Sequence, residues 1–322
     1  MLHITNGDAV LEGFRNGGVP GTYLAWRDPL HDGPVPSSRS LEALSEVRAR
    51  VLSGFDWGEY AEMRSGFAER DRTLGDFRSH DETVLWFEHD LYDQLQLLQI
   101  LDWLSRQDLD QDGARISLVQ IGEHPEVPSF HGLGELSGAQ LARLLPARLP
   151  VTQGQLAIGR EGWEAFCAPD PTAFLHLARR SFPEMPFLSA AMQRCLEEYP
   201  SVRDGLSRTE QQLLAAGASG ARHRQEYFAA SSRAEACPWG DLSVYLRLDA
   251  LSAGPSPALD RIGAHGFALN DQGRRLLAGE DDWLRARDGV DLWIGGVHLQ
   301  GGDARWRWDA TRRTLVGEAA TS

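Results

Sequence analysis

With 322 residues, 42% of them apolar, the chain is long enough for two or three compact units around a substantial core. Its 46 acidic residues against 32 basic ones leave a formal net charge of -14, which repels nucleic acid and anionic membrane unless basic groups are locally concentrated. Every basic residue is arginine, so a Walker-type phosphate lysine, a Schiff base and a lysine general base are all excluded.

The cysteines Cys167, Cys195 and Cys237 are far apart and match no metal or redox spacing, which predicts ordinary buried thiols in a reducing compartment. The opening MLHITNGDAV lacks a basic stretch followed by an apolar one, and no run approaches the ~20 apolar residues of a membrane helix. The cytoplasm is the expected location, and no membrane partner is expected.

Leu2 to Thr5 reads as a strand that turns at Asn6-Gly7-Asp8 into a helix with Ala9, Val10, Leu11 and Phe14 at helical spacing, ended by Gly17-Gly18. Thr22 to Trp26 is a second apolar run. It breaks at Arg27-Asp28-Pro29 and continues into the turn-rich stretch from His31 to Pro36. Leu41 to about Arg78 is a polar, helix-leaning insertion. Thr83 to Phe87 makes a third strand leading into Glu88-His89-Asp90, after which Leu91, Leu95, Leu98, Leu101 and Leu104 lay down a helical stripe. Ile116 to Ile121 makes a fourth. Nearly continuous apolar strands alternating with helices predict a Rossmann-like α/β unit over residues 1–135, its mainly parallel sheet covered on both faces.

From Leu136 to about Tyr199 the spacing is helical, broken at Pro171, Pro183 and Pro186, and predicts a small helical unit over residues 136–203 that packs on the sheet. In residues 204–322, Ser207-Arg208-Thr209-Glu210 has capping-box spacing, and helical stretches follow at Arg224 to Ala236 and Trp239 to about Leu251. After the linker Gly254-Pro255-Ser256-Pro257, Phe267 to Leu277 reads as a strand running into a helix. These features together predict a winged-helix-like domain. Trp293 to Leu299, a turn at Gly301-Gly302-Asp303, and Ala304 to Asp309 read as a terminal β-hairpin.

The segments HITNGD (3–8), WRDPLHDGPVP (26–36), WFEHDLYDQLQLLQILDWL (86–104) and GLGELS (132–137) together resemble a bacterial family, domain of unknown function 1835, over roughly the first half of the chain. WIGGVHL (293–299) and RWRWD (305–309) are similar to a C-terminal extension of some relatives. The resemblance implies an intracellular bacterial protein with a Rossmann-like fold, and it implies no particular reaction.

In an open parallel sheet, ligands bind beyond the carboxyl ends of the strands, where loops and helix N-termini converge. Those positions are polar here: Asn6, Gly7 and Asp8 after the first strand, Arg27, Asp28, His31 and Gly33 after the second, His89, Asp90 and Asp93 after the third, and Glu123 with His124 after the fourth. Carboxylates beside a histidine can bind a divalent metal, for which Asp8, Asp28 and Asp90 are the candidates, or divide acid and base duties among Asp8, Asp28, His31 and Asp90. Arg27 is the candidate anion contact. The structural alternative is equally specific: Asp8 and Asp90 stand where a helix N-cap belongs, Asp93 suits a first-turn acid, and Asp28 precedes a turn proline. An Asp cap occupies the amide donors that a naked phosphate would use, so a metal-bridged phosphate, a ribose hydroxyl or an amine fits better.

Gly132-Leu133-Gly134 lacks the third glycine of a dinucleotide fingerprint, and no nucleophile elbow, zinc-binding helix or paired CxxC is present. Near the C-terminus, Arg305 and Arg307 alternate with Trp306 and Trp308, which offers either a basic face for nucleic acid or a hairpin with tryptophans inside and solvated arginines outside. The leading expectation is an enzyme or ligand-binding protein for a small polar molecule, nucleotides included, at the strand ends. The other is a regulator or adaptor that binds nucleic acid or protein through its C-terminal unit.

Overall fold

The apolar runs assemble as one mostly parallel sheet in a computed structural model, which describes residues 1–38, 40–109, 113–235, 239–263, 265–287, 289–301 and 304–317. Cys237 and the expected turn at Gly302-Asp303 lie outside the described residues. Strands β1 (Leu2–Thr5), β2 (Thr22–Ala25), β3 (Thr83–Glu88), β4 (Ile116–Ile121) and β5 (Leu149–Pro150) lie in the order β2-β1-β3-β4-β5. The first four pair in parallel, and the two-residue β5 closes the edge in antiparallel fashion, a strand that the helical spacing of its surroundings conceals. Every residue of β1 and β3 is buried, as expected of strands covered on both faces.

Alternation along β3 divides the core. Val84 and Trp86 face helix α1 (Asp8–Asn16) and helix α5 (Gly138–Leu144), together with Val10, Phe14 and Leu141. Leu85 and Phe87 face the other side, where helix α4 (Leu91–Ser105) buries Leu95, Leu98 and Leu101. The polar insertion forms helices α2 (Leu41–Gly54) and α3 (Tyr60–Gly75), paired with each other. Helices α6 (Gln153–Phe166), α7 (Thr172–Leu177) and α8 (Leu188–Leu196) pack beyond α4. Here Ser137 and Thr152 close capping boxes with Gln140 and Gln155.

The last third holds helices α9 (Arg208–Ala218), α10 (Arg224–Arg233) and α11 (Asp241–Leu251), then a hairpin of β6 (Leu259–Ile262) and β7 (Gly266–Leu269), then α12 (Asp271–Ala278) and α13 (Trp283–Ala286). Ser207 and Glu210 form the expected capping box at the start of α9. The terminal hairpin is corrected to two. Strand β8 (Val290–Ile294) turns at Gly295-Gly296 to pair with β9 (Val297–Gly301), while β10 (Trp306–Asp309) pairs with β11 (Thr314–Gly317). The Gly295-Gly296 pair is itself the hairpin signal, lying inside what the apolar run suggested was one strand.

One contiguous set of buried apolar side chains runs from Leu2 and Ile4 through α4, α6 and α9 to Trp308 and Leu315. Cys167 and Cys195 are buried in it, and burial pushes both thiols up, Cys195 to about 12. Among the described residues no helix is long and apolar enough to cross a membrane.

Candidate functional site

The chain runs from β1 through α1 to β2 on one side, then returns across β1 to β3 on the other, so the crevice between the carboxyl ends of β1 and β3 is the topological switch point. Asn6 closes β1 at this crevice, and Glu88, the last residue of β3, closes it from the neighbouring strand. Asp90 is the N-cap of α4, accepting the Asp93 backbone N–H at 2.8 Å. Asp93 then turns its own carboxylate back to the strands. Its Oδ1 accepts the Glu88 backbone N–H at 2.7 Å and its Oδ2 accepts the Asn6 side-chain amide at 2.6 Å, tying β1 and β3 to the helix start.

Glu88, Asp90 and Asp93 each place a carboxylate oxygen within 4.8 Å of the others, and they are the one such group of potential metal ligands among the described residues. Glu88 and Asp93 are buried and Asp90 is half-buried. The wall opposite Glu88 is backbone: the Leu133 N–H donates to its carboxylate, and a Cβ on Gly132 would come 2.4 Å from Oε2, so only glycine permits this approach. Among the described residues no arginine pairs with the three, and the cationic neighbours of Asp90 are His89 and His31.

The electrostatic result is a set of carboxyls that resist ionisation. Burial, then the charge of Asp90, pushes Glu88 up to about 8 against the pull of the Leu133 hydrogen bond. Burial also pushes Asp93 well above the carboxylate range, with the charges of Glu88 and Asp90 adding to it. Asp90 is raised by burial too, although the Asp93 amide, His89 and His31 oppose this. At neutral pH such a trio retains a proton or takes up a cation, and the positive end of α4, which favours ionised carboxylates, works against the proton. His89 lies between Phe130 and Phe187, with ring centroids 6.2 and 6.0 Å away, and its buried Nδ1 has no hydrogen-bond partner among the described residues.

No family model matches the chain, and no curated protein matches it. Geometry therefore carries the functional reading.

That geometry separates the expected site residues. Asn6, Asp90 and Asp93 converge, with Gly7 beside them as the N-cap of α1 and His89 adjoining. Asp8, Asp28 and Asp90, the candidate metal ligands, do not come together; the carboxylates that gather are Glu88, Asp90 and Asp93. Asp8 is the first residue of α1, not its cap, and forms an exposed two-point ion pair with Arg27, whose Nε lies 2.8 Å from Oδ2. Arg27 is held there at a φ of 50° and is thereby committed to a carboxylate instead of an anionic ligand. Asp28 is fully buried; Arg48 Nε donates to it at 2.9 Å, Arg70 Nη1 stands 3.7 Å away, and it serves as the anchor for α2 and α3.

His31 turns away from the switch point towards α11. Its Nε2 is 3.0 Å from Ser243 Oγ and 3.3 Å from Asp32 Oδ2, and its ring packs on Trp239 with centroids 4.5 Å apart. The serine and the aspartate share one face of the imidazole, so this is not the relay of a nucleophilic serine, which needs them on opposite nitrogens. Gly33 occupies a turn at a φ of 74° beside Val51. Glu123 is exposed beyond β4. Arg307 donates to Ser201 O and to Asp282 Oδ2, both at 2.6 Å, so its guanidinium is engaged within the chain; Trp306 and Trp308 are buried and Arg305 is exposed.

Glu88 is the residue that sequence reasoning passed over. The signal was present: period-two alternation puts it on the same face as Val84 and Trp86, where a carboxylate would be buried.

Proposed function

We propose that the protein is an enzyme or ligand-binding protein that holds a small polar molecule at the switch point of a Rossmann-like unit, with Glu88, Asp90 and Asp93 as acceptors and Asn6 as their organiser. The observation that carries this reading is three carboxylates gathered within 4.8 Å with no arginine among the described residues paired to them. Such a group is matched by a divalent cation, by an amine, or by the hydroxyls of a ribose or sugar, and it disfavours an unaccompanied phosphate. Asp90 is the half-buried member and offers its Oδ2 to an incoming ligand, while Glu88, with one oxygen engaged by Leu133, supplies a carboxyl that can give up or accept a proton near neutral pH. The resemblance of the first half to the family named above is kept as part of this reading.

A thermal-shift screen with magnesium, manganese, calcium, nucleosides, sugars and amines tests the proposal, since a ligand at a hundred times its dissociation constant stabilises by ~2.7 kcal/mol. A hit should be lost in Asp90→Asn and kept in Asp8→Asn. No hit, together with a lower melting temperature for Asp90→Ala, would make the cluster a structural cap.

The second reading takes α9 to α11 and the β6–β7 hairpin as winged-helix-like and as the docking site for a macromolecule. Leu242 on α11 and Ile262 on β6 are 48% and 51% exposed, which favours a protein over a phosphate backbone, and Arg224 and Arg261 both spend their guanidinium groups on Asp249. Gel-shift titration at low salt should show no DNA or RNA binding.

A further inference from the structure

A cavity of about 480 Å³ lies apart from the carboxylate cluster, and none of Glu88, Asp90 or Asp93 lines it. Six stretches of the chain enclose it, 31–34, 50–55, 198–210, 246–250, 283–287 and 290–294. Its walls are largely apolar, with Phe55, Leu246, Leu284 and Trp293 among them.

Most charged groups on the wall are already spent. Arg247 pairs with Asp32, Glu198 with Arg194 and Thr209, and Arg50 with Glu46. Two features are not. Glu210 uses Oε2 to accept the Ser207 N–H at 2.8 Å, but its Oε1 stands 3.9 Å from Arg287 Nη1, beyond hydrogen-bond range. Trp283 is 1% exposed, and its indole N–H has no acceptor among the described residues. The Trp283 N–H is itself inaccessible, which leaves the loose Glu210–Arg287 pair, 3.9 Å apart on the cavity wall, as the acid and base between which a ligand's donor and acceptor can insert. Burial raises the Glu210 carboxyl above its usual range, which an incoming N–H or ammonium would reverse.

We infer that this cavity is a second binding site, for a small flat apolar molecule that carries a hydrogen-bond donor beside an acceptor on one edge, the donor meeting Glu210 and the acceptor meeting Arg287. One acid and one base match a ligand with no net charge at that edge, and the aromatic wall matches a planar body. Two sources share this chemistry: the zwitterionic head of an aromatic amino acid, and the amide edge of a purine such as guanine.

Isothermal titration of the full chain with L-tryptophan, L-phenylalanine and guanosine separates them. One class should bind saturably with a dissociation constant of 1 mM or tighter, and tryptamine, which lacks the carboxylate acceptor, or purine riboside, which lacks the N–H donors, should bind at least ten-fold more weakly than its counterpart. Arg287→Met and Glu210→Gln should each weaken the active probe at least ten-fold; the glutamine keeps an acceptor for the Ser207 N–H, so folding is preserved. Binding by the amino acids alone assigns the zwitterion, and binding by guanosine alone assigns the purine. Silence from all three probes, or binding unchanged by both substitutions, overturns the inference. Asp90→Asn should leave this binding intact, so failure of the switch-point reading and failure of this one are distinguishable.

Discussion

Glu88→Gln tests whether the switch point holds a proton. The folded chain keeps the Glu88 carboxyl protonated up to about 8, whereas the unfolded chain releases that proton near its ordinary 4.5, so the native state binds more protons across the interval and loses stability as pH rises through it. His3 works in the opposite sense, because burial lowers its value below 6.5 and makes the native state gain stability as pH rises to that point. From pH 6.5 to 8 His3 therefore drops out, and the slope belongs to the shared proton of Glu88 with its neighbours Asp90 and Asp93. One proton over 1.5 pH units at 1.36 kcal/mol each gives a loss of ~2 kcal/mol for the wild type. Glutamine mimics the protonated acid and retains an acceptor for the Leu133 N–H, so the variant should lose about half of that or less and should equal or exceed the wild type at pH 8. Urea unfolding followed by tryptophan fluorescence, with chelator present to exclude cations, measures both slopes. A wild-type stability that is flat or rises from pH 6.5 to 8, or an unchanged slope in the variant, would refute a buried proton at Glu88.

Asp28→Ala should strand buried Arg48 without its carboxylate, while Arg70 keeps Asp71, and cost ~3–5 kcal/mol, whereas Asp8→Ala opens only a surface pair and should cost less than ~1 kcal/mol; equal losses in urea curves would contradict the assignment of these two acids. Ser207→Ala should remove ~1 kcal/mol by breaking the α9 capping box, and Ser207→Asp should restore most of it, as read by melting temperature. Burial alone would raise the Asp32 carboxyl, but Arg247, His31 and the Ser243 hydroxyl outweigh it and hold it well below the carboxylate range. Its contribution is thus present above its ordinary value of 3.8 and lost only as pH falls below it. In Arg247→Met the acid-unfolding midpoint should move upward by at least half a pH unit, and an unmoved midpoint would separate Asp32 from that arginine.

The carboxylate site was half legible in the sequence. Asp90 and Asp93 follow an apolar strand at helix-start spacing, and Asn6 ends another strand, so local pattern alone placed all three at strand ends. Asp8 and Asp28 met the same criteria and went elsewhere. Arg27, two residues beyond its strand, reaches back across to Asp8, and Arg48 and Arg70, 20 and 42 positions after Asp28, face that carboxylate. Which acid finds an arginine depends on helix packing, and the spacing of residues along the chain carries no trace of it. The inter-unit cavity shows the same limit more strongly, since His31, Glu210 and Arg287 share no motif and meet only when three segments fold against each other.

By itself the sequence determined the four parallel strands and most helices of the first half, the cap at Ser207, and the absence of lysine chemistry, because periodicity and side-chain-to-backbone hydrogen bonds act within a few residues. The tertiary structure alone decided that β1 and β3 are neighbours, that Glu88 joins Asp90 and Asp93, and that Arg307 turns inward to Asp282. Burial and charge pairing are properties of through-space neighbours, and it is these, more than residue type, that set whether a carboxylate caps a helix, anchors an arginine or remains free for a ligand.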